Sequence, residues 1–208
     1  MFNRFLPPTS RRNILDAPEF EPFKLTRNTV HVATPAPGLA PSEPFVRQIP
    51  LPHGDLDDSP QILSVLQQLA EAFAQSAWVR EFTVRNVFTK ITDNDLEKQV
   101  KLLLAWVRSN VTYVRDPIGT EYVISPLVLL GKIANGELAA GDCDDHVLLL
   151  NSMLGSVGFE TRAVGVHLYE QDRWDHVISS VLVRGRWIDL DPCDKHEIGQ
   201  VYLEKLVT

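Results

Sequence analysis

The sequence predicts an α+β fold, with helices early in the chain and an antiparallel sheet at its end. Two segments, 59–76 and 93–109, carry apolar side chains at helical spacing. A helix beginning at Cys143 is apolar almost all round, which predicts that it is buried in the middle of a domain. Strand-like segments follow at 161–167, 176–183 and 186–190. Helices followed by strands are typical of a helical layer packed on an antiparallel sheet.

Residues 1–58 are predicted to form an extended Pro-rich arm and residues 59–208 the folded domain. Eleven of the 14 prolines fall in residues 1–60. Proline lacks an N–H donor and fixes φ, which limits helices and central strands. The aromatic side chains of the arm either wrap onto the protein's own core or dock on a partner, and the sequence leaves both readings open.

Local signals place the ends of the helices. Ser59 is a plausible N-cap of the first helix. Residues 78–91 are rich in β-branched and aromatic side chains and are predicted to be a strand or irregular. Thr92 and Asp95 resemble a capping box at the start of the next helix. A short helix is expected near 126–134.

The end of the chain carries sharper signals. Asp142 can cap the helix that begins at Cys143, and Gly158 is placed to end it. Arg184-Gly185 predicts a hairpin turn between the last two strands.

Composition limits the partners. The formal charge of -7 argues against a nucleic-acid surface, which is normally rich in Lys and Arg. No apolar run approaches the roughly 20 residues of a membrane span, and the first residues lack a secretory signal. Two cysteines, Cys143 and Cys193, are too few for a disulfide framework. We therefore expect a cytoplasmic protein with protein or peptide partners, and no nucleic acid or membrane partner.

Three residues predict a cysteine-nucleophile site. A thiol attacks as thiolate, so it needs a base and a group that orients the base. Cys143 lies in the first turn of a helix, where N–H groups favour an anion and can stabilise an oxyanion. His176 begins one strand of the hairpin and Asp191 follows the other, so pairing brings them to the same open end.

Three motifs resemble those of the transglutaminase-like superfamily, which has a papain-like fold: GDCDD at 141–145, WDHV at 174–177 and GRWIDLDP at 185–192. The resemblance covers roughly residues 93–195. It implies a cysteine heading a central helix packed on an antiparallel sheet, a histidine at the start of a strand, and an aspartate after a Trp-containing strand. Asp191 matches the last position, and Asp189 is the second choice.

The resemblance also implies an activity. Cys143, His176 and Asp191 would carry out cysteine-dependent acyl transfer on protein or peptide amides, as a peptidase, deamidase or transglutaminase, without a cofactor. Related enzymes often place an oxyanion donor upstream, which makes Tyr113 a candidate, although it can equally pack beneath the helix. Trp187 is a candidate supporting residue.

The segment VRDPIG (114–119) looks like the versions of this domain found in tailed-phage and prophage genomes. That likeness implies a phage-encoded protein of the host cytoplasm, associated with the virion or its assembly, whose arm contacts phage structural proteins. A non-catalytic phage scaffold and a peptide-binding module with a degenerate site are the alternatives.

Other readings of the same residues remain. Cys143 and His146 with Asp142 and Asp145 can be read as part of a metal site, but no second Cys/His pair has suitable spacing, so no metal is expected. His146 lies three residues after Cys143 and competes for the role of base. Cys193 stands where the family usually has a small residue, and is either a packed hydrophobe or a second thiol able to pair with Cys143.

Overall fold

The computed structural model describes residues 29–35, 44–50, 59–90, 95–116, 122–167, 174, 176–193 and 205–207. Its helices are α1 (Ser59–Ala74), α2 (Ala77–Asn86), α3 (Leu96–Asn110), α4 (Pro126–Ala134) and α5 (Cys143–Ser156). Its strands are β1 (Thr29–Pro35), β2 (Pro44–Pro50), β3 (Val111–Tyr113), β4 (Tyr122–Ile124), β5 (Ala139–Gly141), β6 (Glu160–Val166), β7 (His176–Val183), β8 (Arg186–Leu190) and β9 (Lys205–Val207).

The main sheet is antiparallel, with strand order β8-β7-β6-β9. Strands β7 and β8 form the predicted hairpin, in which Ser179 lies opposite Leu190. Arg184 and Gly185 at its turn have φ of 50° and 78°. Two successive residues with positive φ match the twist of the flanking strands, so a tight turn is possible here.

Helix α5 is the centre of the domain. Every side chain from Asp144 to Leu154 is buried, and the helix packs on β6, β7 and the helices α1, α2 and α3. The hydroxyl of Ser179 in β7 donates to the Asn151 side chain, so the polar groups at this interface are paired. The predicted α+β class, with a central buried helix on an antiparallel sheet, is confirmed.

The prediction for residues 78–91 was wrong, because α2 and a 3₁₀ turn (Phe88–Lys90) occupy them. The Ser76 side chain accepts from the Val79 N–H and begins the helix. Val79 and Thr83, one turn apart, are fully buried. These residue types favour strands, but their β propensity contributes little free energy, and burial of one helical face outweighs it.

The start of α3 also differs from the prediction. Asp95 is the N-cap itself, and its Oδ1 accepts from the N–H groups of Glu97 and Lys98. The expected capping box placed Asp95 inside the helix, whereas its short carboxylate satisfies the exposed N–H groups from outside it. Thr92 lies outside the described residues.

Part of the predicted arm pairs with the domain. Strands β1 and β2 form an antiparallel pair, and β1 also runs parallel to β4. Pro35, Pro44 and Pro50 stand at strand ends, where a missing N–H costs least. The rest of residues 1–58 lies outside the described part of the chain.

Two short parallel strands, β3 and β5, lead towards α5, with Tyr113 opposite Gly141.

On the far side of the domain, the Gln67 side chain of α1 bonds to the edge of β6. Its Nε2 donates to Thr161 O at 2.9 Å and its Oε1 accepts from Ala163 N at 3.2 Å. In the part of the chain that the structure describes, β9 pairs with Val164–Val166, and Gln67 takes the place of a strand partner at Thr161 and Ala163.

Candidate active site

Cys143 is the first residue of α5, directly after the N-cap Asp142, and it is half-buried. The side chain of Asp145 fixes this start of the helix. Its Oδ1 accepts from Ile124 N at 2.5 Å and its Oδ2 accepts from Asp142 N at 3.2 Å. One carboxyl group therefore joins β4 to the residue that precedes Cys143.

His176 and Asp191 are hydrogen-bonded. His176 Nε2 lies 2.9 Å from Asp191 Oδ2, and the two residues are 8% and 4% exposed. The hairpin register explains the contact: Ser180 pairs with Asp189, and continuing this register places Asp191 opposite Ile178. His176 is two residues beyond Ile178 and projects from the same face, so it is the diagonal neighbour of Asp191 at the open end of the hairpin.

Asp191 is held by two further groups. Its Oδ1 accepts from the Cys193 N–H at 2.9 Å. Its backbone carbonyl accepts from Arg108 in the last turn of α3, at 3.0 Å from Nε and 2.6 Å from the terminal NH2 nitrogen. Both the side chain and the peptide of Asp191 are therefore fixed.

The thiol of Cys193 belongs to the same group. Its Sγ, a His176 nitrogen and an Asp191 carboxylate oxygen all lie within 4.8 Å of one another. Burial raises the pKa of Cys193, and the charges of Cys143 and Asp191 raise it further. Cys193 is therefore a protonated thiol, and both sequence readings of it stay open.

Tyr113 pairs with Gly141, two residues before Cys143, and its side chain is 43% exposed rather than packed beneath the helix. Its pKa is raised by burial and then by the charge of Cys143, while a hydrogen bond from Arg115 acts in the opposite direction. The ring lies 6.1 Å from that of His146. An exposed phenol at this position can contact a substrate bound at Cys143.

The other candidates of the sequence lie elsewhere. His146 is buried, with Nδ1 2.7 Å from Asp142 O and Nε2 3.4 Å from Val111 O, so both ring nitrogens face carbonyl groups rather than a thiol. Trp187 stacks against Arg162, with the guanidinium carbon 4.0 Å from the ring centroid, near the turn of the hairpin. It is therefore separated from Asp191 by most of the length of β8.

Carboxyl groups cluster at the start of α5. Asp142, Asp144 and Asp145 each place an oxygen within 4.8 Å of the others, and all are buried. Burial raises the pKa of Asp145 well above its ordinary value, and the charge of Asp142 adds to the effect. Burial also raises the pKa of Asp116 to about 6, although the bond from Tyr122 N opposes the shift. Protonation of Asp145 or Asp116 relieves the repulsion from the charge of Asp142.

Metal donors within 4.8 Å of one another occur in two groups of the described residues: His176 with Asp191 and Cys193, and the three carboxylates at the start of α5. Neither of these two groups contains both Cys143 and His146, the pair that the sequence suggested as part of a metal site.

A family model described as the transglutaminase-like superfamily matches residues 82–192. That is 111 of the 208 residues, more than half of the chain. The chain belongs to this superfamily. The match contains Cys143, His176 and Asp191 and ends one residue before Cys193. The papain-like core predicted for the chain is confirmed.

Two solved structures are similar to the transglutaminase-like chain. One is a "putative cysteine protease" from Cytophaga hutchinsonii, 20% identical with a TM-score of 0.43, covering 58% of this chain and 38% of that one. The other is a "putative protease" from Parabacteroides distasonis ATCC 8503, 16% identical with a TM-score of 0.49, covering 74% of this chain and 29% of that one. The chain thus spans only about a third of their lengths. No curated protein matches it. No helix among the described residues of the transglutaminase-like chain is both long and apolar enough to cross a membrane.

Sequence reasoning missed Arg108 and Asp116. Arg108 looked like an ordinary basic residue at the end of a helix, since its contact lies 83 residues away along the chain. Asp116 in the sequence DPIG is a typical turn residue, and only the fold reveals that its carboxylate binds Tyr122.

Proposed function

We propose that this transglutaminase-like protein catalyses cysteine-dependent acyl transfer on protein or peptide amides, with Cys143 as nucleophile, His176 as base and Asp191 as its orienting group. The observation that carries the proposal is the 2.9 Å contact between His176 Nε2 and Asp191 Oδ2, which is shielded from water. The family match supports the same class of chemistry.

The contact supports a separate role for each ring nitrogen of His176. An ionised carboxylate can only accept, so His176 Nε2 carries the proton that Asp191 Oδ2 binds. The lone pair is then on Nδ1, which is the atom that takes the thiol proton of Cys143. Asp191 stabilises the resulting imidazolium.

The reaction follows from these positions. The Cys143 thiolate attacks the amide carbon, and the oxyanion that forms accepts a hydrogen bond from the backbone N–H of Cys143. The first N–H groups of a helix, of which this is one, have no acceptor within the helix. His176 returns its proton to the leaving nitrogen, and a thioester remains. Water then gives a carboxylic acid, as in peptidases and deamidases, whereas an amine gives a cross-link. Tyr113 supports the oxyanion or the substrate from the exposed side.

The pH dependence of Cys143 alkylation by iodoacetamide tests this proposal, with modification followed by mass spectrometry. Rapid labelling below pH 7 that slows in His176→Ala is the expected result, because only an activated thiolate reacts there. Labelling only near the free-thiol pKa of about 8.5 would contradict it. Cys143→Ala controls for reaction elsewhere.

We also propose a phage-encoded setting, in which the protein acts in the virion or its assembly and its N-terminal arm contacts phage structural proteins. The motif VRDPIG (114–119) and the Pro-rich residues 1–58 support it. The rival is a non-catalytic scaffold of the same particle. The number of copies in purified particles tests both, because a stoichiometric complement favours the scaffold, a few copies favour the enzyme, and none argues against a virion component.

A further inference from the structure

We propose that Arg108 is a positioning residue for the Asp191–His176 pair. This inference deepens the proposed function and rests on it. Arg108 acts through the backbone of Asp191 and does not itself touch the reacting atoms.

The geometry of the contact favours positioning over simple attraction. Two donors of one guanidinium, Nε and a terminal nitrogen, meet the single carbonyl oxygen of Asp191 at 3.0 and 2.6 Å. The guanidinium is planar and rigid, so two bonds to one oxygen restrict the direction of that carbonyl. Arg108 lies in the last turn of α3, which is itself anchored in the core by the fully buried Leu103, Leu104 and Val107.

Asp191 needs such a contact because it lies just beyond the sheet. The described pairing of β7 with β8 ends at Ser179 and Leu190. Pro192 follows and has no N–H to donate. The direction in which the Asp191 side chain leaves the backbone therefore depends on the Arg108 bonds and on the turn closed by the Cys193 N–H. That direction decides whether Oδ2 reaches His176.

Arg80 offers a matched control. Its terminal nitrogen also donates to a backbone carbonyl of a distant element, Ser156 O at 2.7 Å. Ser156 ends α5, whereas Cys143 begins it, so the two ends are roughly 20 Å apart at 1.5 Å per residue. Arg80→Ala removes the same kind of tie without touching the site.

The experiment measures the alkylation rate of Cys143 from pH 5 to 9, and the downfield proton resonance of His176 Nε2–H, in the full chain. Arg108→Ala should lower the rate below pH 7 by roughly 10- to 100-fold, the cost of misplacing a catalytic group by about 1 Å. It should also shift or broaden the resonance. Arg80→Ala should change neither. Adding Arg108→Ala to Asp191→Asn should cause no further loss, since both act through one group.

The proposal is overturned if Arg108→Ala has the pH profile and the His176 resonance of the wild type. It is also overturned if Arg108→Ala lowers the alkylation rate no more than Arg80→Ala does, or lowers it further in the Asp191→Asn background. If Arg108→Ala does not fold, Arg108→Lys keeps the charge and one donor. An intermediate rate is expected for it, and a wild-type profile would overturn the proposal. If wild-type Cys143 is not labelled below pH 7, the proposed function fails, while the resonance still reports the link from Arg108 to Asp191.

Discussion

The carboxyl group of Asp145 occupies the space that a β-carbon on Gly141 would need. The same carboxyl group accepts a hydrogen bond from the N–H of Asp142. The two residues before Cys143 are therefore packed directly against a buried carboxyl group. Any side chain at Gly141 must displace Asp145, and the first turn of α5 moves with it.

Gly141→Ala should therefore destabilise the protein by about 1–3 kcal/mol, the usual cost of overpacking a core. At roughly 2–4 °C per kcal/mol for a chain of this size, thermal unfolding followed by circular dichroism will detect it. Gly131→Ala is the control, because nothing lies within 4 Å of its added carbon and alanine favours a helix. Equal melting temperatures for the two variants would contradict the prediction.

Asp191→Asn should slow the alkylation of Cys143 at pH 6 by roughly 10²-fold or more, the usual scale of acid–base assistance. An amide can still bond to His176 but cannot stabilise the imidazolium. Asp189→Asn, two residues earlier in β8, is the matched control, and it should leave the rate unchanged. The reverse order of effects would assign the orienting role to Asp189.

Native protein treated with iodoacetamide at pH 7–8 should be modified at Cys143 and not at Cys193. The reason is that burial and the nearby charges raise the pKa of Cys193, so it remains a thiol at this pH. Peptide mapping by mass spectrometry distinguishes the two sites, and denatured protein should react at both. Comparable labelling of Cys193 in native protein would show that it is not protected.

Asp116→Asn should stabilise the protein at pH 7 and lose this advantage near pH 4. The pKa of Asp116 is raised from 3.8 to about 6, so the folded protein keeps this proton to a higher pH than the unfolded chain does. Stability from this group is therefore greatest below about pH 4 and falls as the pH rises through 6. Melting temperatures of the variant and wild type across this range test the sign, and a difference that does not change with pH would contradict it.

Strong local patterns made part of the fold predictable. Helix α5 is apolar almost all round, and the strands β7 and β8 flank a tight turn, so their positions follow from neighbouring residues. Those two features also placed His176 and Asp191 together, because the hairpin register alone brings them to one end.

Contacts that are distant in sequence explain what could not be predicted. Helix α2 has β-branched and aromatic residues, and only burial of Val79 and Thr83 against other elements makes it helical. Strands β3, β4 and β5 have three residues each, too few for a periodic signal. The roles of Arg108 and Asp145 likewise depend on which backbone groups the fold brings to them.

The amide of Gln67 has a consequence for how the molecule behaves among its own copies. An open strand edge is a template onto which another chain can add and start an aggregate. Beyond the end of β9, the edge of β6 would present such a template at Thr161 and Ala163, but the side chain of Gln67 occupies both of these backbone groups. A single glutamine side chain thus discourages self-association along this stretch of β6, where no strand of the described residues pairs with the edge.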